Sequence, residues 1–363
     1  MHVLWLTARS MTDLCSTTQR NLIVGLLNQG HQVTFVNGDV SSPMKQSSFT
    51  HVSLPVKARR GFQARTLAKA MRSWLMGQNI GDDSTVAVVE WRVVHQVVPV
   101  LEKMGIPWAL MDRSPPADAG FFGRLQWRPW ASAWRKAKRT ESAGFVVSSA
   151  HQAFVARKTG HQHSTILNAG VDLERFKPGE KQTTFTMVYH GCLERHRGVL
   201  ACVMLAQKAR SEGLEVDLVL IGKGNLDPAL TELTRSHKFL NVHPTMPQAE
   251  LAQHLATCHL GLLPMPNRRV WRLASPLKRS EYLAAGLAVF GIDHEGHRLG
   301  GVENTWFTLV PQEDFHIDGM DFIRQCMNAP IETTQEARTY AEEHLSWEKS
   351  VDSFTQRLRE VLQ

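Results

Sequence analysis

Short apolar runs suited to buried strands alternate with amphipathic helical patterns almost from end to end. This alternation restricts the chain to a narrow set of folds. Residues 2–6 (HVLWL) read as a buried parallel strand. Residues 18–29 then place Leu22, Leu26 and Leu27 on one helical face, ended by Gly30, and 32–36 (QVTFV) return to strand. Further strands are expected at 85–89, 108–111, 144–147 and 165–167, with helical patterns between them. Such a βαβ succession builds a mostly parallel sheet with helices on both faces.

A second series follows the polar connector 178–184 (PGEKQTT). Its strands are expected at 185–189, 216–221, 260–263 and 288–290. Helices are expected at 198–211, 227–236, 248–257 and 276–285, and a helical tail at 334–363. A length of 363 residues fits two domains at roughly 100–200 residues each. The expected fold class is therefore α/β, two doubly wound halves with a hinge near 172–182. Ligands of such sheets bind outside the carboxyl ends of the strands, here in the cleft between halves.

Composition narrows the setting. Hydrophobic residues at 43% and charged residues at 21% exclude wholesale disorder. No apolar run reaches the length of a spanning helix, and the start MHVLWLTARS lacks the basic region and cleavage site of a secretory signal. Cys15, Cys192, Cys202, Cys258 and Cys326 form no CxxC pair, which argues against a disulfide framework or a zinc cage. A cytoplasmic protein is expected. The close histidine pairs His161/His163 and His294/His297 have no Cys or carboxylate at ligand spacing, so scattered surface histidines and no metal are expected.

The net charge of +7 is local. Lys57, Arg59, Arg60, Arg65, Lys69 and Arg72 fall in an acid-free stretch, as do Arg124, Arg128, Arg135, Lys136, Lys138 and Arg139. The remainder is net −5. Phe62, Leu67, Met71, Trp74 and Leu75 interleave with the first cluster, and Phe121, Phe122, Trp127, Trp130 and Trp134 with the second. Two readings stay open. Arg65, Arg72, Trp74, Arg124, Trp127, Arg128, Trp130 and Trp134 form an acceptor-side or anionic-membrane surface, or the aromatics are core and the cations solvated. Single-stranded nucleic acid is a third, weaker option.

The sharpest element is 275–286, SPLKRSEYLAAG. Ser275 is suited to cap a helix and Pro276 to begin it, so free backbone N–H groups and Lys278 would favour a phosphate. Glu281, one turn on, is placed to accept from ribose hydroxyls. An ordinary capped helix with solvated Lys278 and Glu281 is the competing reading.

Residues 165–178, TILNAGVDLERFKP, together with SPLKRSEYLAAGLAVFG resemble the inter-domain and nucleotide-sugar motifs of retaining glycosyltransferase family 4. Between them, in the family's order, come VYHGCLERHRGV, LVLIGKGN and LNVHPTMPQAELAQHLATCHLGLLPM, and ARTYAEEHLSW follows. The match spans 165–363; before that it rests on strand order and LLNQGHQVTFV.

The resemblance implies the GT-B fold, two facing Rossmann-like domains. It assigns 1–172 to the acceptor, 173–344 to the nucleotide sugar, and 345–363 to a helix crossing back onto the first domain. It implies a UDP- or GDP-linked donor and transfer with retention to a saccharide or lipid-linked acceptor at the inner membrane face, in surface polysaccharide or glycoconjugate synthesis. No cofactor or metal is implied. The diphosphate would lie against Arg195, Arg197, the Gly222–Lys223 turn and the helix start at Ser275, Pro276, Leu277 and Lys278, with Glu281 on the ribose. Arg197 and Lys278 would stabilise the departing diphosphate, and a phosphate oxygen would take the acceptor's proton.

Several positions depart from the family pattern. Leu273 stands where the first of two paired glutamates is usual, and Cys192 where an arginine is usual. The loop after the first strand lacks a Gly-Gly pair, and Asp112 and Arg113 replace a catalytic-pocket histidine. These changes keep open a non-catalytic binding subunit on the same fold, and a nucleotide-sugar epimerase is a further alternative. A Rossmann oxidoreductase is excluded because no glycine follows the first strand where GxGxxG would be needed.

Overall fold

Each described strand pairs only with parallel neighbours, so consecutive strands must be joined by crossovers, most of them helical. The computed structural model describes residues 1–11, 16–59, 61–80, 83–116, 120–299, 304–328 and 332–363. Cys15, Arg60 and the side chains of Phe121 and Phe122 lie outside the described residues. The strands are β1 (His2–Leu6), β2 (Gln32–Asn37), β3 (Phe49–Ser53), β4 (Thr85–Glu90), β5 (Trp108–Met111), β6 (Gly144–Val146), β7 (Ser164–Ile166), β8 (Phe185–Cys192), β9 (Val216–Lys223), β10 (Leu240–His243), β11 (Leu260–Leu263), β12 (Ala288–Ile292) and β13 (Phe307–Val310). The helices are α1 (Thr17–Asn28), α2 (Gln63–Met76), α3 (Val94–Lys103), α4 (Gly120–Arg139), α5 (Ser149–Thr159), α6 (Val199–Ser211), α7 (Asp227–Ser236), α8 (Gln248–Ala256), α9 (Arg269–Arg272), α10 (Leu277–Ala284), α11 (Asp318–Met327), α12 (Glu332–His344) and α13 (Trp347–Leu362).

The chain divides into two units, Met1–Asn168 with Trp347–Gln363, and Ala169–Ser346. The first holds a seven-stranded sheet in the order β3-β2-β1-β4-β5-β6-β7, the second a six-stranded sheet in the order β10-β9-β8-β11-β12-β13. Both are doubly wound α/β sheets, as the alternating pattern predicts. Strand order reverses between β1 and β4 in one and between β8 and β11 in the other, and such switch points are where ligands bind.

The expected helical tail is two helices, and the break at Leu345–Ser346 lets them serve different units. In the second unit, α12 packs on α10. In the first, α13 packs on α1, where a Cβ at Gly25 would come within 2.3 Å of Val351. Phe354 meets Trp5 edge-on at 5.6 Å and Phe145 at 4.8 Å. β3, β10 and β13 are absent from the sequence reading because short edge strands with mixed polarity give little periodic signal, and α9 and α11 are absent from it too.

α4 settles one of the open alternatives. Trp130 and Trp134 are buried, and their indole N–H groups donate to Asp112 Oδ2 at 2.6 and 2.9 Å. They therefore do not belong to a membrane or acceptor surface; they anchor α4 to the end of β5. Trp127 is partly buried and packs edge-on against Trp130 and Phe154. Arg124 and Arg128 are exposed.

The histidines also differ from expectation. His161, His294 and His297 are buried, and only His163 of the two close pairs is exposed. His161 lies 5.0 Å from Trp134, edge-on, with Nε2 2.9 Å from the Ser142 carbonyl. The rings of His294 and His297 are 3.7 Å apart, and each ring has one nitrogen on a backbone carbonyl. Burial pushes His294 down to about 4 and His297 well below the usual histidine range, so the close pair is neutral.

Asp112, expected at a catalytic position, instead holds the interior of the first unit. It is fully buried, and His151 Nε2 lies 3.2 Å from the oxygen that the two indoles share. Burial alone would raise its pKa, but His151 and the indole donors outweigh that and hold it below the usual carboxylate range. Its contribution to stability is therefore present above the unfolded carboxyl pKa and is lost as pH falls through the lower folded value. Asp112→Ala strands three polar side chains and should cost about 3–5 kcal/mol in urea unfolding.

Candidate functional site

Two chain segments that share the family resemblance meet inside the second unit. The hydroxyl of Ser275 accepts the Ala169 N–H at 3.1 Å, and the hydroxyl of Ser280 donates to the Ala169 carbonyl at 2.9 Å. The LNAG turn is thus bound to both ends of the first turn of α10. Arg338, on α12, donates to the carbonyls of Phe176, Leu173 and Ala284, adding the LERF turn and the end of α10 to the same block. Ser275 is spent on this contact: Pro276 is the N-cap, and no side chain caps α10. The expected Ser275 cap and Pro276 first helical residue are both corrected by one position. Pro276 and Leu277 still set where the free N–H groups of α10 begin.

Arg279, next in the chain, is committed to backbone carbonyls. Its Nη1 donates to the carbonyls of Gly296, His297 and Arg298 at 3.3, 2.8 and 2.6 Å. It pins the turn that carries the close pair His294 and His297.

Lys278 is the unusual group. It is 8% exposed, with Nζ 4.0 Å from the Tyr189 ring centroid and 3.9 Å from Met265 Sδ. Among the described residues no carboxylate comes within ion-pair distance of it. Burial pushes its pKa down to about 7, with the charge of Arg197 acting in the same direction. Tyr189 lies in the C-terminal half of β8 and Met265 just follows β11, so this cation stands at the switch point of the second sheet.

The backbone around it is built for close approach. Gly191 (φ +120°) and Gly222 (φ +152°) pair across β8 and β9; a Cβ on Gly222 would lie 1.8 Å from the Gly191 carbonyl oxygen. A Cβ on Gly191 would lie 3.3 Å from Lys278 Nζ. Only glycine keeps this floor flat beside the ammonium.

Arg197 lies in a short 3-10 turn (Arg195–Arg197) after β8, its guanidinium 4.8 Å from the Trp271 ring centroid and its buried Nε 3.8 Å from Glu194 Oε2, beyond hydrogen-bond reach. Arg195, in the same turn, and Lys223, the last residue of β9, are exposed; the Arg195 N–H donates to Asn225 Oδ1 at 3.1 Å. Glu281 is buried, with His190 Nε2 3.1 Å from its Oε2, and the His190 ring stands edge-on to Tyr282. Leu273 is buried. His190, Tyr189 and Trp271 were not legible as site residues, although VYHG places the first two at the end of a strand.

The switch point of the first unit carries a second polar cluster. Glu90, buried at the end of β4, accepts from the Thr7 hydroxyl at 2.8 Å and the Ala8 N–H at 2.7 Å. Arg92 donates to its other oxygen, and Arg9 Nε lies 3.5 Å from it. Burial would raise the Glu90 pKa, but Arg92 and Arg9 outweigh it and hold the carboxyl below its usual range.

The whole chain superposes on solved glycosyltransferase structures of low sequence identity. Sucrose-phosphate synthase from Thermosynechococcus elongatus matches with a TM-score of 0.79 at 13% identity, over 99% of this chain and 98% of that one. WaaG, a glycosyltransferase of lipopolysaccharide biosynthesis, matches at 0.72 and 15%, over 97% and 99%. HepE of Anabaena, crystallised with UDP-glucose, matches at 0.72 and 13%, over 99% and 100%. No protein-family model matches the chain, and no curated protein matches it by sequence. The chain has the α/β GT-B fold of these glycosyltransferases.

Because Lys278 has its pKa near 7 when folded and about 10.4 when unfolded, the unfolded chain binds more protons between those values, and stability rises with pH there. Lys278→Met should therefore stabilise the unliganded protein at pH 6, on the order of a few kcal/mol. The gain should fade towards pH 10, as read by thermal or urea unfolding across pH.

Proposed function

We propose that this protein is a retaining, metal-independent glycosyltransferase whose second unit takes a UDP- or GDP-linked sugar. The first unit takes a saccharide or lipid-linked acceptor of cell-surface glycan synthesis. The observation that carries this reading is the buried Lys278 at a sheet switch point, with no described carboxylate in ion-pair reach, beside glycines that let a ligand lie against backbone. A buried ammonium held near its pKa has its charge restored by an anion, and a diphosphate is the anion that a helix start plus cations selects.

Lys278 and Arg197 would bind the diphosphate and neutralise the charge that builds on it as the glycosidic bond breaks. Arg195 and Lys223, both exposed, would add long-range attraction. Glu281, oriented by His190, would accept from the ribose hydroxyls. The acceptor hydroxyl would give its proton to a diphosphate oxygen. Leu273 would leave one sugar hydroxyl without the carboxylate usual at that position, which favours a binding subunit as the second reading.

The test is titration with UDP- and GDP-sugars followed by mass spectrometry of offered saccharides. One donor should saturate the protein and one acceptor should gain a sugar. Lys278→Ala should weaken both the nucleotide sugar and pyrophosphate by about 10- to 100-fold. Glu281→Ala should weaken the nucleotide sugar and leave pyrophosphate unchanged. Affinity should fall as pH rises above about 7, where the free protein loses the Lys278 proton. Loss in neither variant overturns the site; saturable binding without product leaves the binding subunit.

A peripheral place on an anionic membrane is part of the same proposal, supported by α2. That helix buries Leu67, Ala68, Met71 and Leu75 and exposes Arg65, Lys69 and Arg72, with Trp74 half-buried. Phe62 (55% exposed) and Met76 (67%) stand out at its two ends. No described helix is long and apolar enough to cross a membrane. At about 1 kcal/mol per surface cation, binding would be reversible and salt-sensitive. Co-sedimentation with phosphatidylserine vesicles should exceed that with neutral vesicles, and Arg65→Glu/Arg72→Glu should abolish the difference; equal partitioning at low salt overturns it.

A further inference from the structure

At the switch point of the first sheet, the loop after β1 and the residues after β5 enclose a pocket whose charge is unbalanced. Thr7, Arg9, Gln19, Glu90, Trp91 and Arg113 line it. Its enclosed space is about 10 Å³, roughly that of one water-sized group, and the rest opens to solvent. It suits one substituent of a sugar better than a whole saccharide.

Glu90 is the one carboxylate among the lining residues, and it is saturated by Thr7, Ala8 and Arg92. Arg9 is held in place by Ser114 Oγ, to which Nη2 donates at 2.5 Å, and Ser114 also accepts the Trp91 indole N–H through its carbonyl. Arg113 donates from Nη1 to the Leu167 carbonyl at 2.7 Å, but its buried Nε has no partner. Its neighbour Asp112 is occupied by two indoles and His151. Burial, together with the charge of Arg9, pushes Arg113 down to about 9. Two guanidiniums thus flank one cavity with a single, already neutralised carboxylate between them. That arrangement is costly when empty and favourable when an oxyanion enters, because planar guanidinium donors match carboxylate and phosphate oxygens.

We infer that the pocket of Arg9 and Arg113 receives an anionic substituent of the acceptor, a carboxylate or a phosphate on a sugar, so that the enzyme selects an acidic saccharide over a neutral one. This rests on the glycosyltransferase reading for the word acceptor; the anion site itself does not need it.

The test is calorimetric titration of the full chain with methyl glucuronide, glucose 6-phosphate and neutral methyl glucoside, and separately with UDP and GDP. The wild type should bind at least one acidic sugar, at least about tenfold more tightly than methyl glucoside. Arg113→Gln and Arg9→Gln should each remove that preference and leave nucleotide affinity unchanged. Arg113→Lys, which keeps charge but loses the fork, should restore part of it and guards against a folding defect. The carboxylate and phosphate arms separate the two anions: whichever sugar shows the preference names the substituent. Equal affinity for acidic and neutral sugars, no binding of any of them, or an unchanged preference in the folded Arg113→Gln protein overturns the inference. Loss of UDP and GDP binding alone would sink the glycosyltransferase reading and leave the anion pocket standing.

Discussion

Everything proposed for the second unit depends on a basic group held out of water, with no carboxylate among the described residues within ion-pair distance. Lys278 sits on an aromatic ring and a thioether, which stabilise an ammonium far less than a carboxylate or water would. Such a placement costs folding energy. It persists because α10 is bound on every side: Ser275 and Ser280 fix its first turn to the LNAG turn, Arg279 locks the turn at 294–298, and Arg338 closes its far end. A helix free to tilt would let the lysine reach solvent. Segments that read as a sequence motif are, in space, the supports of one buried side chain.

The two units repeat the same physical plan with different charges. In each, the strand order reverses beside the first strand, and the carboxyl ends there carry a buried acid or base held by backbone geometry. In the second unit the excess is Lys278 with Arg197 over Trp271. In the first it is Arg9 and Arg113 around a neutralised Glu90. Both local surpluses suit anions, consistent with a donor carrying a diphosphate and an acceptor carrying an acidic group. The molecule's basic character is thus partly internal, and not only the cations exposed on α2 and α4.

The alternation of apolar runs and helical faces was enough to read two parallel doubly wound sheets, because strands buried on both faces must be continuously apolar and crossover helices must be amphipathic. β11 is matched residue for residue, since LGLL is bounded by polar chain on both sides. The edge strands β3, β10 and β13 escaped because half-solvated strands such as FTHVS and LNVH carry no apolar run. Lys278 and Glu281 were legible as candidates because their residue types suit phosphate and ribose chemistry at a helix start; Arg197 and the Gly222–Lys223 turn were candidates only through the resemblance to the glycosyltransferase family.

What the linear chain could not determine was burial and pairing. Asp112 and Trp130 are separated by 18 positions, and nothing local says that the acid accepts two indole N–H groups instead of facing a substrate. His190 and Glu281 meet across 91 residues, and Gly25 makes room for Val351 across 326. Periodicity reports which face of an element is apolar, so the sequence determined the sheets, their crossovers and the helix that carries the key lysine. Which charges stay solvated, which are buried and which are left unpaired depends on side chains brought together from distant segments. Only the tertiary structure decided that.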